Sequence, residues 1–112
     1  MIDVVLPQLS SATLRCLADT GTLGNRFGIW VARAAELDLT DAPEQQIGLG
    51  GRAITARTIT TTLQVGDLAW DAPVSFCEPW PFDFQLLGQE GFFRWFRVTF
   101  EAAERFLEIA PA

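Results

Sequence analysis

The run from Ala53 to Val65 constrains this chain most. Ile54, Ala56, Thr58, Thr60 and Thr62 occupy one parity, and Thr55, Arg57, Ile59, Thr61 and Leu63 the other. β-Branched residues are stiff about χ1 and pack well on a pleated surface, so such a stretch favours long strands over a helix. Gly66-Asp67 is a hairpin signal, and Leu68 to Cys77 returns as another strand, interrupted by Pro73. A chain of 112 residues is long enough for one domain with one core, spanning 1–112. With this much of it committed to one long hairpin, the fold is expected to be mostly β, a closed or nearly closed small barrel.

The other elements are shorter. Ile2 to Leu6 reads as a strand ended by Pro7, Gln8 to Ala12 as a turn, and Thr13 to Ala18 as a second strand running straight into Asp19. Phe27, Trp30, Val31, Ala34 and Leu37 recur at spacings of three and four, which predicts a helix over Phe27 to Leu39 with Asn25 as its N-cap. Gln45 to Leu49 leads into Gly48-Leu49-Gly50-Gly51. Pro79-Trp80-Pro81-Phe82-Asp83 is a stiff aromatic loop, and Gln85-Leu86-Leu87-Gly88 a short buried strand. Glu90 to Phe96 is expected as a second, short helix. Arg97 to Phe100 and Arg105 to Ile109 form a terminal hairpin around Glu101 to Glu104.

Composition then removes chemistry. There is no His, which excludes Ser-His-Asp triads, Cys-His dyads and His-ligated zinc, and no Lys or Tyr, which excludes Schiff-base and Ser-Lys mechanisms. Acid–base work falls to carboxylates, with neither cofactor nor metal expected. The net charge is −6 and the basic residues are eight scattered arginines, a pattern without the basic stripe that nucleic acid requires. No apolar run approaches the length of a membrane span, and Met1 to Pro7 lacks the basic start and long apolar core of a signal peptide. The expectation is a cytoplasmic protein. Cys16 and Cys77 each sit in an apolar run and read as two buried thiols rather than a disulfide.

Asp19-Thr20-Gly21-Thr22 follows the apolar stretch Leu14 to Ala18, so one acid stands at the end of a buried strand with a glycine for a tight turn. Alone, such a triplet is an ordinary turn. It is followed, in order, by the glycine-rich Ile47-Gly48-Leu49-Gly50-Gly51 with long strands behind it, and by Leu86-Leu87-Gly88-Gln89. In this order the three motifs resemble the retropepsin-like aspartic proteases, over nearly the whole chain, and Val98-Thr99-Phe100 is similar to the cellular and bacterial branch of that family. The resemblance implies an acid-protease β-barrel with a flap hairpin. It implies Asp19 as catalytic acid and base, supported by Thr20, Gly21 and Thr22. Gly48, Leu49, Gly50 and Gly51 would form a flap closing over an extended peptide or protein substrate, and Leu87 and Gly88 would pack beneath the catalytic loop.

One Asp-Thr-Gly is half of a two-carboxylate machine, so the resemblance implies a homodimer with Asp19 from each subunit at the two-fold axis. The chain departs from the retroviral pattern where an Arg after the second glycine motif pairs with an Asp after the first. Gln89 stands at the Arg position, and Leu23-Gly24-Asn25 contains no Asp. The rival from another class is a catalytically inactive module that keeps the fold to bind peptide or to dimerise. A third reading is an unrelated small β-barrel that binds an apolar ligand among its aromatics. In the protease reading those aromatics are mostly core, with Trp80 the foremost candidate for a subsite or a subunit contact.

Overall fold

The computed structural model describes residues 1–7, 13–19, 21–89, 96–101 and 106–111, the last two for the course of the chain only. Its elements are β1 (Ile2–Val5), β2 (Thr13–Ala18), β3 (Asn25–Gly28), α1 (Ile29–Ala34), β4 (Glu44–Leu49), β5 (Arg52–Val65), β6 (Leu68–Glu78), β7 (Gln85–Leu87), β8 (Phe96–Glu101) and β9 (Phe106–Pro111). Seven strands form one sheet in the order β1-β2-β7-β3-β6-β5-β4, and a further pairing of Val5 with Gln64 joins β1 to β5. Six strands thereby close into a barrel, which removes the free edges an open sheet would present. β4 lies outside the closure, paired with the first half of β5 from Glu44↔Arg57 to Leu49↔Arg52. β8 and β9 make a separate antiparallel hairpin. No helix among the described residues is long and apolar enough to cross a membrane.

Alternation along the strands fills the barrel. Val4, Leu14, Cys16, Phe27, Leu63, Ala72, Val74, Phe76 and Leu87 are buried in one cluster. Phe27 and Phe76 meet edge to face with ring centroids 6.0 Å apart. Each such fully buried side chain contributes roughly 1.5–3 kcal/mol. A smaller second cluster gathers Ile54, Ala56 and Cys77, with Ile47, Leu49 and Trp80 packed against it. It lies on the opposite face of β5 and β6. The long β5 therefore serves the barrel interior near its end and the outer face near its start. Both cysteines are free and buried. Burial pushes the Cys16 thiol up, with the Asp3 carboxylate adding to it.

Three sequence expectations are corrected. Phe27 is not in a helix: Asn25–Gly28 is a strand between β6 and β7, parallel to β6 from Asn25↔Val74 to Gly28↔Cys77. Sheet hydrogen bonds on both sides and full burial of Phe27 outweigh the local helical spacing. The helix is only Ile29–Ala34, and its N-cap is Gly28 without a side-chain cap bond, whereas Asn25 opens β3. Beyond its C-cap Ala35 the chain turns off at Glu36, with a φ of 56°; the Glu36 N–H donates to Arg33 O and the Leu37 N–H to Ala32 O. Leu37 then returns to the core as irregular chain. Pro73 does not interrupt β6, which runs through it paired with Thr60 of β5. Its carbonyl accepts from Asn25 Nδ2 on the β3 side, so its missing N–H faces the same way, just before β3 pairing begins at Val74. The helix expected over Glu90 to Phe96 falls on 90–95, outside the described residues, while Phe96 opens β8. The turn at 8–12 also lies outside them.

Candidate functional site

Asp19 stands where β2 leaves the sheet. β2 runs parallel to β7 through Cys16↔Gln85, Leu17↔Leu86 and Ala18↔Leu87, and the Asp19 N–H continues that ladder by donating to Leu87 O at 2.9 Å. The chain then turns sharply, with the Thr22 N–H donating to Asp19 O at 3.1 Å. The two carboxylate oxygens are held separately. Gly21 N–H donates to Oδ1 at 2.9 Å, and Thr22 Oγ1 donates to Oδ2 at 3.0 Å. Each oxygen keeps acceptor capacity for a water or a shared proton. Asp19 is half-buried, whereas Thr22 is 8% exposed. Among the described residues Asp19 enters no ion pair that would tie up its charge. Thr20 lies outside the described residues.

The segment between β2 and β3 passes over the end of β7, and Gly88 is the reason it fits. A Cβ on Gly88 would fall 2.7 Å from the Thr22 carbonyl oxygen and the Gly24 carbonyl carbon, and closer still to the Gly24 oxygen. The loop is also strapped from below. Gln89 N–H donates to Thr22 O at 2.9 Å, and Gly88 N–H donates to the buried Asn25 Oδ1 at 3.2 Å. Asn25 Nδ2 reaches Pro73 O at 3.4 Å, so one buried amide at the start of β3 joins the end of β7 to the middle of β6. A further buried amide, Gln85, accepts from Gly28 N–H at 2.7 Å. Sequence reasoning missed Asn25, Gln85 and Gly28. The partners of Asn25, Gly88 and Pro73, are far away in sequence, and no local signal distinguishes this role from a helix cap.

Gly48, Leu49, Gly50 and Gly51 form the tip of the β4–β5 hairpin. Gly50 and Gly51 have φ of 58° and 78°, the two-residue turn that matches strand twist and needs positive φ at both positions. Leu49 and Ile47 pack onto the outer cluster, while Gly48 has open space where a Cβ would point. Trp80 donates from Nε1 to Phe84 O at 3.0 Å and meets Phe82 edge-on at 5.3 Å. Trp80 and the 49% exposed Trp30 close on Gly28 from two sides, leaving no room for a Cβ there. Leu23, next to the Asp19 loop, is 61% exposed.

A cavity of about 430 Å³ lies elsewhere, between α1, the 37–40 segment and the base of the β4–β5 hairpin. Arg57 lines it, donating to Leu39 O and Ala42 O at 3.1 Å and pairing with Glu44 at 2.9 Å. Those bonds fix the hairpin's base, and none of the residues around Asp19 lines the cavity. Among the described residues no group of three or more His, Cys, Asp or Glu is gathered where it would hold a metal ion. Compared with known proteins, the chain matches no protein-family model and no curated protein sequence.

Proposed function

We propose that this chain is a retropepsin-like aspartic endopeptidase, a hydrolase completed by a second copy of itself. The observation that carries the reading is the way Asp19 is held: each carboxylate oxygen takes one donor from its own turn, and that turn is interlocked with Gly88 at the end of a buried strand. A carboxylate fixed in this way suits the task of holding a water. With a partner carboxylate a few ångströms away, the pair shares one proton. One member draws a proton from the water while the other donates to the scissile carbonyl oxygen. In this reading the β4–β5 hairpin is the flap, its Gly50-Gly51 turn able to approach a peptide backbone closely. Leu23, Leu17 and Trp80 offer apolar surface to the side chains of an extended substrate.

The test is cleavage of a quenched peptide library by the purified full chain across acidic to neutral pH, alongside its sedimentation mass. Asp19→Asn is expected to lower cleavage by roughly 10³-fold or more, with folding and dimer mass unchanged. A pepstatin-type inhibitor is expected to block the wild type. Cleavage that persists in Asp19→Asn would sink the proposal. Peptide binding without cleavage by the wild type would leave the fold a peptide-holding role.

A further inference from the structure

Arg26 lies on the face of β3 opposite Phe27, whose ring is in the barrel core. Pairing sets it in a row across five strands: Leu17 on β2, Leu86 on β7, Arg26, Ser75 on β6 and Thr58 on β5. Directly paired residues project to the same side of a sheet, so the row shares the outer face. Ser75 and Thr58 confirm this locally, their hydroxyls 2.7 Å apart. Asp19 is two residues beyond Leu17, its N–H continuing the ladder to Leu87 O, so by strand alternation it has the parity of Leu17. Strand spacing and rise separate the Asp19 and Arg26 backbones by roughly 12 Å.

The guanidinium is incompletely satisfied. Its Nη1 is buried and has no hydrogen-bond partner. The two ion pairs among the described residues, Arg33–Glu78 and Arg57–Glu44, do not include it. Its charge does reach Cys77 on the neighbouring strand: burial pushes that thiol up to about 11, and Arg26 pulls in the opposite direction. A guanidinium offers five donors and no acceptor, and its planar fork matches a carboxylate with two parallel bonds. Leaving one of those donors dry and unpaired is costly. A chain with net charge −6 has carboxylates in excess, yet among the described residues none forms an ion pair with Arg26.

We propose that Arg26 is a carboxylate-binding subsite that selects an acidic side chain of an extended peptide, about two to four residues from the bond held at Asp19. The inference rests on the peptide groove proposed above, and adds to it a charge preference that the apolar residues of the row do not supply.

Binding separates this from catalysis. In the Asp19→Asn protein, paired extended peptides carrying Glu or its isostere Gln at each position in turn are compared by fluorescence anisotropy. At one position the Glu peptide is expected to bind at least about tenfold tighter, a difference of about 1.4 kcal/mol. Adding Arg26→Met is expected to bring that ratio to about one, and Arg26→Lys to leave a reduced preference. Circular dichroism checks that both variants fold. Acetate and inorganic phosphate at the same concentrations are expected not to compete, which distinguishes a peptide side chain from a free anion. A Glu-to-Gln ratio near one at every position, binding of neither peptide, competition by the free anions at peptide concentrations, or a preference that survives Arg26→Met overturns the subsite. A preference for Glu in a wild type that cleaves nothing overturns the protease reading and leaves the subsite standing.

Discussion

Glycine is used in opposite ways at two ends of the candidate site. Under the Asp19 loop, Gly88 is hemmed in by the carbonyls of Thr22 and Gly24, and its own N–H is bound by Asn25. At the β4–β5 tip, Gly48, Gly50 and Gly51 have nothing within reach of a Cβ. The first region is fixed by interlocked backbone, a steric constraint that tolerates no added atom. The second is fixed only by which φ values the turn requires. On the proposed protease reading, an acid that stays in place and a hairpin that moves would call for these two kinds of constraint.

The sharpest way to break the comparison is Gly88→Ala. The added methyl meets backbone atoms, which have no rotamer to give way, so either the 19–24 loop or the end of β7 must move. The expected cost is about 3 kcal/mol or more, read as a fall in the urea midpoint. A variant as stable as the wild type would show that the loop is not interlocked with β7. Gly51→Ala tests the other end. Its Cβ has room, so the cost is that of forcing an alanine to φ 78°, about 1–2 kcal/mol, confined to the hairpin. Equal losses at positions 88 and 51 would erase the distinction.

How much of this was legible in the sequence follows the same division. Where the constraint is local, the residues announced it. The Thr- and Ile-rich run gave the long strand, and Gly66-Asp67 the tight connection to β6. Barrel closure was visible only as a class, because the pairing of Val5 with Gln64 joins residues far apart in the chain. Where constraint is non-local, the local signal misled. Phe27 carried helical spacing but was claimed by the core and by strands on both sides. Asn25 looked like a cap but spends its amide on Gly88 and Pro73. Arg26 is one of eight scattered arginines, and nothing nearby in sequence shows that one of its nitrogens is buried.

The smallest expected effect on stability is the most discriminating for function. Gly48 lies in β4, paired with Ala53, and its φ is not among the positive ones. No atom lies within reach of an added methyl. Gly48→Ala is therefore expected to change stability by no more than about 0.5 kcal/mol in either direction, since the lost backbone freedom of the unfolded chain offsets any local adjustment. If the hairpin closes over an extended peptide, however, that open space is where a substrate backbone would lie. A methyl there would be felt only in the complex. The expected result is an unaltered urea midpoint together with a several-fold weaker binding of peptide by the Asp19→Asn background. Unchanged peptide binding would mean that this face of the hairpin never lies against the substrate. The openness at Gly48 would then be an accident of an exposed strand rather than the space into which a flap closes.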